Sequence, residues 1–181
     1  MAESVKLQLD VTSFNGAAFQ PCLERCKKSG LHFSTVAEAG AGSVTNRMLY
    51  ELNKTCSADI PDRGAFYTFE EYVAQRINVP FYDPRGVVLA IDHGTWVGMA
   101  AMSMYPARGY ALSEMTGVLR RHRGHGVSIA MKVLAIEYVR DRGLRWIRTG
   151  NGSANTPAIA MNRRLGFVDE DPRLWAAQPS A

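Results

Sequence analysis

Residues 110–131 read YALSEMTGVLRRHRGHGVSIAM, and this stretch decides the fold. Tyr110 to Leu119 is predicted as a strand and Arg120 to Gly126 as a basic, glycine-bearing loop. Val127 to Arg142 is predicted as an amphipathic helix, with Val127, Ala130, Met131, Leu134 and Tyr138 on one stripe. A helix N-terminus carries unpaired N–H groups and a partial positive charge, and glycines let an anion approach the backbone closely. Gly124 and Gly126 supply that opening, and Arg121 and Arg123 add charge, so the loop reads as a pyrophosphate cradle. Other phosphate loops fit worse. No Gly-Lys-Ser/Thr follows Gly124, Ile129 stands where a dinucleotide fingerprint needs a third small residue, and no acid ends the strand at 144–149.

Downstream, Gly143 closes the helix, Leu144–Thr149 is a strand, and Asn151–Asn155 a polar loop. Thr156–Leu165 is a second helix, with Pro157 in its first turn and Gly166 at its end, before an extended Phe167-Val168. Upstream, Gly86–Asp92 and Thr95–Tyr105 are strands joined by a His93-Gly94 turn. With 110–119 they make an antiparallel meander. Gly117, inside its strand, predicts a bulge or a close backbone approach. The N-terminal part reads as strand (Val5–Val11), helix (Ala17–Lys28), strand (Leu31–Val36) and helix (Val44–Cys56). A Thr68/Glu71 capping box then opens a short helix through Arg76.

At 181 residues the chain fits one domain that buries a core without cross-links. The apolar runs fall well short of the roughly 18 residues a membrane span needs. Met1–Asp10 lacks a basic run ahead of an apolar segment, so no signal peptide is expected. Three cysteines, an odd number, predict reduced thiols and a cytoplasmic setting, and Cys22 and Cys26 are expected as structural residues on one helix face. No zinc pattern is present and no metal site is expected. The formal charge of +4 hides an asymmetry. Residues 120–164 hold ten basic and two acidic side chains, a net +8, and the remainder carries −4. The excess coincides with the cradle.

The segment Arg121-x-x-Gly124-x-Gly126 resembles the acetyl-CoA signature of the GNAT acetyltransferase superfamily. So do Thr149-x-Asn151-x-x-x-Asn155-x-Pro157 and Asn162-x-x-Leu165-Gly166-Phe167 further on, and the likeness runs over about residues 86–168. It implies an α/β (α+β) fold with a mixed, largely antiparallel, twisted sheet, splayed at its central strand and flanked by helices. An extra strand–helix–strand segment lies at the N-terminus. The resemblance makes residues 1–181 a single acetyltransferase domain, with a variable acceptor-side region at 1–85 and an acetyl-CoA-binding core at 86–168. The backbone of Val118 and Leu119 would hold the pantetheine arm and the acetyl carbonyl. The amides of Arg121, Arg123, Gly124, His125 and Gly126, continuing into Val127 and Ser128, would hold the pyrophosphate. Asn155, and Asn162 beside the sulfur, would hydrogen-bond the pantetheine or acetyl end.

The implied reaction is direct attack of a primary amine on acetyl-CoA in a ternary complex, which needs positioning, a base and an acid. Many relatives carry a tyrosine where this chain has Asn162, and an amide is no general acid at neutral pH. The acid is then water, Tyr138 or another tyrosine. Glu114, four residues before Val118, is the candidate base, with ordered water as its competitor. Asn162 also reads as a surface helix residue. Phe66, Tyr67, Phe69 and Tyr72 read as core or as an acceptor pocket. Expected partners are a small-molecule or protein amine, with neither nucleic acid nor membrane, in a monomer or homodimer. Two alternatives share these residues: a catalytically silent acyl-CoA sensor, and a nucleic-acid module built on Arg120–Arg148.

Overall fold

A computed structural model describes residues 4–175. The chain runs through β1 (Ser4–Asp10), α1 (Gln20–Lys28), β2 (Leu31–Thr35), α2 (Val36–Ala39) and α3 (Ser43–Ser57). It continues through α4 (Phe69–Tyr72), β3 (Tyr82–Asp92), β4 (Thr95–Tyr105) and β5 (Tyr110–Val118). The last part holds α5 (Val127–Asp141), β6 (Trp146–Gly152), α6 (Thr156–Arg164), β7 (Val168–Asp169) and α7 (Pro172–Trp175). Seven strands form one mixed sheet in the order β2-β3-β4-β5-β6-β1-β7. Every pairing is antiparallel except β5 with β6.

The β3–β4–β5 meander follows from alternating patterning and short turns, and the His93-Gly94 turn has both residues at positive φ (47° and 80°). The two N-terminal strands do not stay together. β2 edges the sheet beside β3, whereas β1 crosses to the far side and lies between β6 and β7, pairing from Ser4↔Gly152 to Asp10↔Trp146. One core lies between the sheet and α5 with α1, built on Leu7, Leu9, Met102, Ile136, Ile147 and Phe167. A second lies on the opposite face beneath α3 and α4, around Leu49, Tyr50, Tyr72, Leu89 and Met99. α5 is buried almost all round, including at Val133 and Ala135, because the sheet covers one side and α1 the other. The single stripe expected from its sequence is therefore too narrow.

Three local corrections bear on the site. The bulge of β5 lies at Glu114–Met115, not at Gly117. Ala100 pairs with Thr116 and Met102 with Ser113, which leaves one extra residue on β5, while the register through Gly117 is regular. Gly117 instead marks a close approach: a Cβ there would lie 2.6 Å from the Cβ of Cys56 on α3. The helix expected through Arg76 is α-helical only over Phe69–Tyr72. It then widens into a π turn, Val73–Ile77, in which Asn78 N–H donates to the Val73 carbonyl (2.8 Å). The loop expected at 80–85 largely joins β3, which is irregular between Tyr82 and Val87, where Pro84 lacks an N–H. No helix among the described residues is long and apolar enough to cross a membrane.

Candidate active site

β5 and β6 run parallel for only three pairs, Tyr110↔Trp146, Ala111↔Ile147 and Leu112↔Arg148. Thr149 Oγ1 then donates to the Ser113 carbonyl (3.2 Å). Beyond that contact the bulge at 114–115 bends β5 away and the two strands part. The Leu119 N–H donates to the Val97 carbonyl (2.8 Å), on the β4 side. Antiparallel alternation therefore turns the N–H and C=O of Val118, and those of Thr116, toward the gap. The Val118 carbonyl accepts from Arg123 Nε (2.8 Å), and nothing among the described residues engages its N–H.

Two cavities meet at this gap. One, of about 360 Å³, runs from Val118 past Arg123, Gly124 and Gly126 to the first turn of α5 at Val127 and Ser128. Gly124 and Gly126 adopt φ of +81° and +82°, which glycine accepts without strain. Gly126 is the N-cap of α5, and a Cβ on it would lie 2.6 Å from Cys22 Sγ. The helix thus opens onto the cavity with its first N–H groups unpaired and no side chain at its threshold. The other cavity, of about 260 Å³, lies on the α3 and α4 side and takes in Tyr67, Tyr72, Arg76, Glu114, Lys132 and Asn162. Met115, Thr116, Asn155 and Met161 line both.

The sequence-predicted residues separate cleanly by position. Val118, Arg123, Gly124, Gly126, Val127, Ser128 and Asn155 line the cradle cavity. Leu119, Arg121 and His125 do not: Leu119 packs against the core, and Arg121 and His125 are exposed at the rim. Arg121 forms no ion pair among the described residues, whereas Arg120 and Arg123 both pair with Asp59 and hold its carboxyl well below the usual range. Three more cations of the basic segment are paired in the same manner, Arg145 with Asp10, Arg148 with Glu170 and Arg163 with Asp169. His122 Nε2 lies 2.9 Å from Asp92, and together with His93 it lowers the Asp92 pKa.

On the other side of the gap, Glu114 lies where the bulge turns it, away from the α5 face that buries Val118. Its oxygens are occupied by Ser103 Oγ (2.8 Å) and Arg76 (3.1 Å). Asn162 is 1% exposed, which corrects the surface reading. Its Nδ2 donates to Asn151 Oδ1 (2.9 Å), and its own Oδ1 is buried without a partner, as is Thr116 Oγ1. Tyr138 is not brought to the site. It lies three turns along α5, lines neither cavity and donates to Asp83, and burial pushes its hydroxyl up to about 12. The aromatic cluster is both core and wall. Tyr50 packs against Phe66, Phe69 and Tyr72, while Tyr67 and Tyr72 face the cavity.

Sequence reasoning missed Lys132. It is 1% exposed, lines the cavity and donates to Ser113 Oγ (2.6 Å), and burial pushes its pKa down to about 7. The sequence shows only that it is the one charged residue between Val127 and Ile136, a pattern equally suited to a solvated position.

The residues fit an acyl-CoA. The cradle opens on a helix N-terminus, the Val118 N–H faces the gap, and two buried acceptor oxygens there lack donors. The Acetyltransferase (GNAT) family profile matches residues 46–167. A "Mycothiol acetyltransferase" of Pseudarthrobacter chlorophenolicus is 31% identical over 125 residues, covering 66% of this chain and 38% of that protein. One from Thermobifida fusca is 30% identical over 132 residues, covering 68% and 39%. The chain thus spans well under half the length of these relatives. Among solved structures, a GCN5-related N-acetyltransferase from Sphaerobacter thermophilus superposes with a TM-score of 0.65 at 19% identity, over 92% of this chain and 48% of that one. A tandem GNAT protein from the clavulanic acid biosynthesis pathway gives 0.64 at 24%, over 94% and 51%. The family match extends over the cradle, the parted strands and the asparagine-bearing helix α6, and the chain belongs to the GNAT acetyltransferase family.

Proposed function

We propose that this chain is an acetyl-CoA-dependent N-acetyltransferase that moves the acetyl group directly onto a primary amine, both substrates being held at once. One observation carries the reading. The cradle cavity and the acceptor cavity meet at the unpaired side of β5, so a thioester reaching in from one side can meet an amine from the other. Bound acetyl-CoA supplies an activated acyl thioester and needs no protein nucleophile.

The chain's own residues do the positioning. The α5 N-terminus with Gly124 and Gly126 receives the pyrophosphate, and Arg121 at the rim adds charge. The Val118 N–H is set to donate to the acetyl carbonyl, and a preorganised donor of this kind stabilises the charge that develops there. Asn155 and the unpartnered Asn162 Oδ1 receive amide N–H groups near the thioester end. Glu114 anchors the acceptor wall with Arg76 and offers a carboxylate to a cationic amine. We read the whole chain as one catalytic domain. Residues 49–76, from α3 to the π turn, wall the acceptor side, and the segment from β3 to Phe167 carries the cofactor side.

Titration calorimetry with acetyl-CoA tests the cradle. Saturable one-to-one binding is expected, accompanied by a rise in thermal stability of about 2.7 kcal/mol at a hundredfold excess over Kd. Absence of binding at millimolar acetyl-CoA would contradict it.

A further inference from the structure

The acceptor cavity leaves a chemical gap. An amine that attacks a thioester must lose a proton, and the departing sulfur needs one. Asn162 cannot exchange protons, Tyr138 lies elsewhere, and both oxygens of Glu114 are engaged. Lys132 stands where the proton is needed. Its Nζ reaches Ser113 at the last contact between β5 and β6 before they part, and both residues line the acceptor cavity.

An ammonium is poorly matched to that place. It carries three donors. Ser113 Oγ is its one hydrogen-bond acceptor among the described residues, and the Phe167 ring lies beneath it with its centroid 5.4 Å from Nζ. No carboxylate among the described residues pairs with it. Charged groups on the surrounding elements are engaged with one another: Asp83 of β3 with Arg85 and Tyr138, Glu114 of β5 with Arg76 and Ser103, and Arg148 of β6 with Glu170. β4 contributes no acid or base between Thr95 and Met104, and α1 turns the thiols of Cys22 and Cys26 to the carbonyls of Gly126 and His125. A neutral amine, with a lone pair to accept the Ser113 hydroxyl proton, suits the site better. A lysine buried near its neutral form is poised to exchange a proton at physiological pH.

We propose that Lys132 and Ser113 form the proton relay of the transfer step, a proposal that rests on the acetyltransferase reading above. The acceptor amine, having given its ammonium proton to solvent, forms its bond from the neutral nitrogen to the acetyl carbon as the carbon–sulfur bond breaks, and the electron pair leaves on sulfur. The proton shed by the nitrogen passes through Ser113 Oγ to Lys132 Nζ, and Nζ returns a proton through the same hydroxyl to the thiolate. No oxidant or further reactant is consumed. Because Lys132 acts through Ser113, it is a positioning and relay residue rather than one that touches the acyl group.

The test has two arms on the full chain. The first is an NMR titration of the protein labelled with ¹³C at lysine Cε. The chain has five lysines. One is expected to titrate near pH 7, and its signal to vanish in Lys132→Met. Titration of Lys132 above pH 9 would overturn the relay regardless of any activity. The second arm is the pH profile of kcat at saturating acetyl-CoA and amine, with calorimetry as the check on cofactor binding. Wild type is expected to show an acid limb near pH 7. Lys132→Met should lose the limb and roughly 10²-fold or more in kcat while binding acetyl-CoA within a few-fold of wild type. Lys132→Arg, cationic at all accessible pH, should be as impaired, and Ser113→Ala should lose the same limb. A fully active Lys132→Arg, or an unchanged limb in Lys132→Met, overturns the relay and leaves the acetyltransferase reading standing. Wild-type protein that binds acetyl-CoA but releases no thiol with any amine overturns both.

Discussion

A single side chain can be tested where its environment is extreme. Lys132 is paired with a hydroxyl and an aromatic ring, and its folded pKa lies about 7, below its unfolded value near 10.4. Between those values the unfolded chain holds a proton that the folded chain lacks. Folding stability therefore rises with pH through that window, by up to about 1.4 kcal/mol per unit. Lys132→Met lacks this dependence. In urea unfolding, the variant should be the more stable at pH 7, and its advantage should shrink by roughly 2 kcal/mol by pH 9. Gly124→Asp works on the opposite wall. It places a carboxylate at a position of φ +81° with nothing within 4 Å of a Cβ, so the fold is kept at a cost of about 1 kcal/mol. The charge opposes the pyrophosphate, and acetyl-CoA affinity in calorimetry should fall by more than about tenfold, or 1.4 kcal/mol. The glycines of the cradle were readable as residue types at a helix start. Lys132 and the buried side of Asn162 were not, because one charged or amide residue on a helix reads as surface until the packing around that helix is known.

At the level of the elements, local grammar carried the reading far. The His93-Gly94 turn, the Thr68/Glu71 capping box, the α5 and α6 boundaries and the three-strand meander all follow from spacing of a few residues. Thr35 and Glu38 form a second capping box on α2, a signal that was present in the sequence and not taken up. Of the two readings of Gly117 the close approach holds, and the bulge lies earlier because its position is set by how β5 must leave β6 after Ser113. Gly117 serves the packing of α3 instead. Gly117→Ala would force its methyl within 2.6 Å of Cys56 Cβ and of Met115 Cε, so a loss of about 1–3 kcal/mol is expected in denaturant unfolding. Since Cys56 and Gly117 both line the cradle cavity, the same variant should also weaken acetyl-CoA binding. A Gly117→Ala protein as stable as wild type would mean that α3 rides loosely over β5.

Across the whole molecule, the pairing of β1 with β6 joins residues 4–10 to 146–152, and no local pattern announces a contact of that separation. It matters to function because β6 forms one lip of the gap and has β1 for its neighbour on the side away from β5. The net charge is likewise a whole-chain property that the fold reshapes. Half of the +8 of residues 120–164 is offset by ion pairs with Asp10, Asp59, Asp169 and Glu170, and Arg121 at the cradle's rim is among the cations outside those pairs. The parted strands lie between the two cavities, and the proposed function gives one to the nucleotide and the other to the amine. The most direct measurement of that division is turnover of acetyl-CoA across a panel of small amines, amino sugars and peptide N-termini, with free thiol and N-acetylated product quantified together. One thiol released per amide formed is expected with at least one amine, and loss of both in Gly124→Asp. Acetyl-CoA bound at the cradle but no amide formed with any amine would contradict the account.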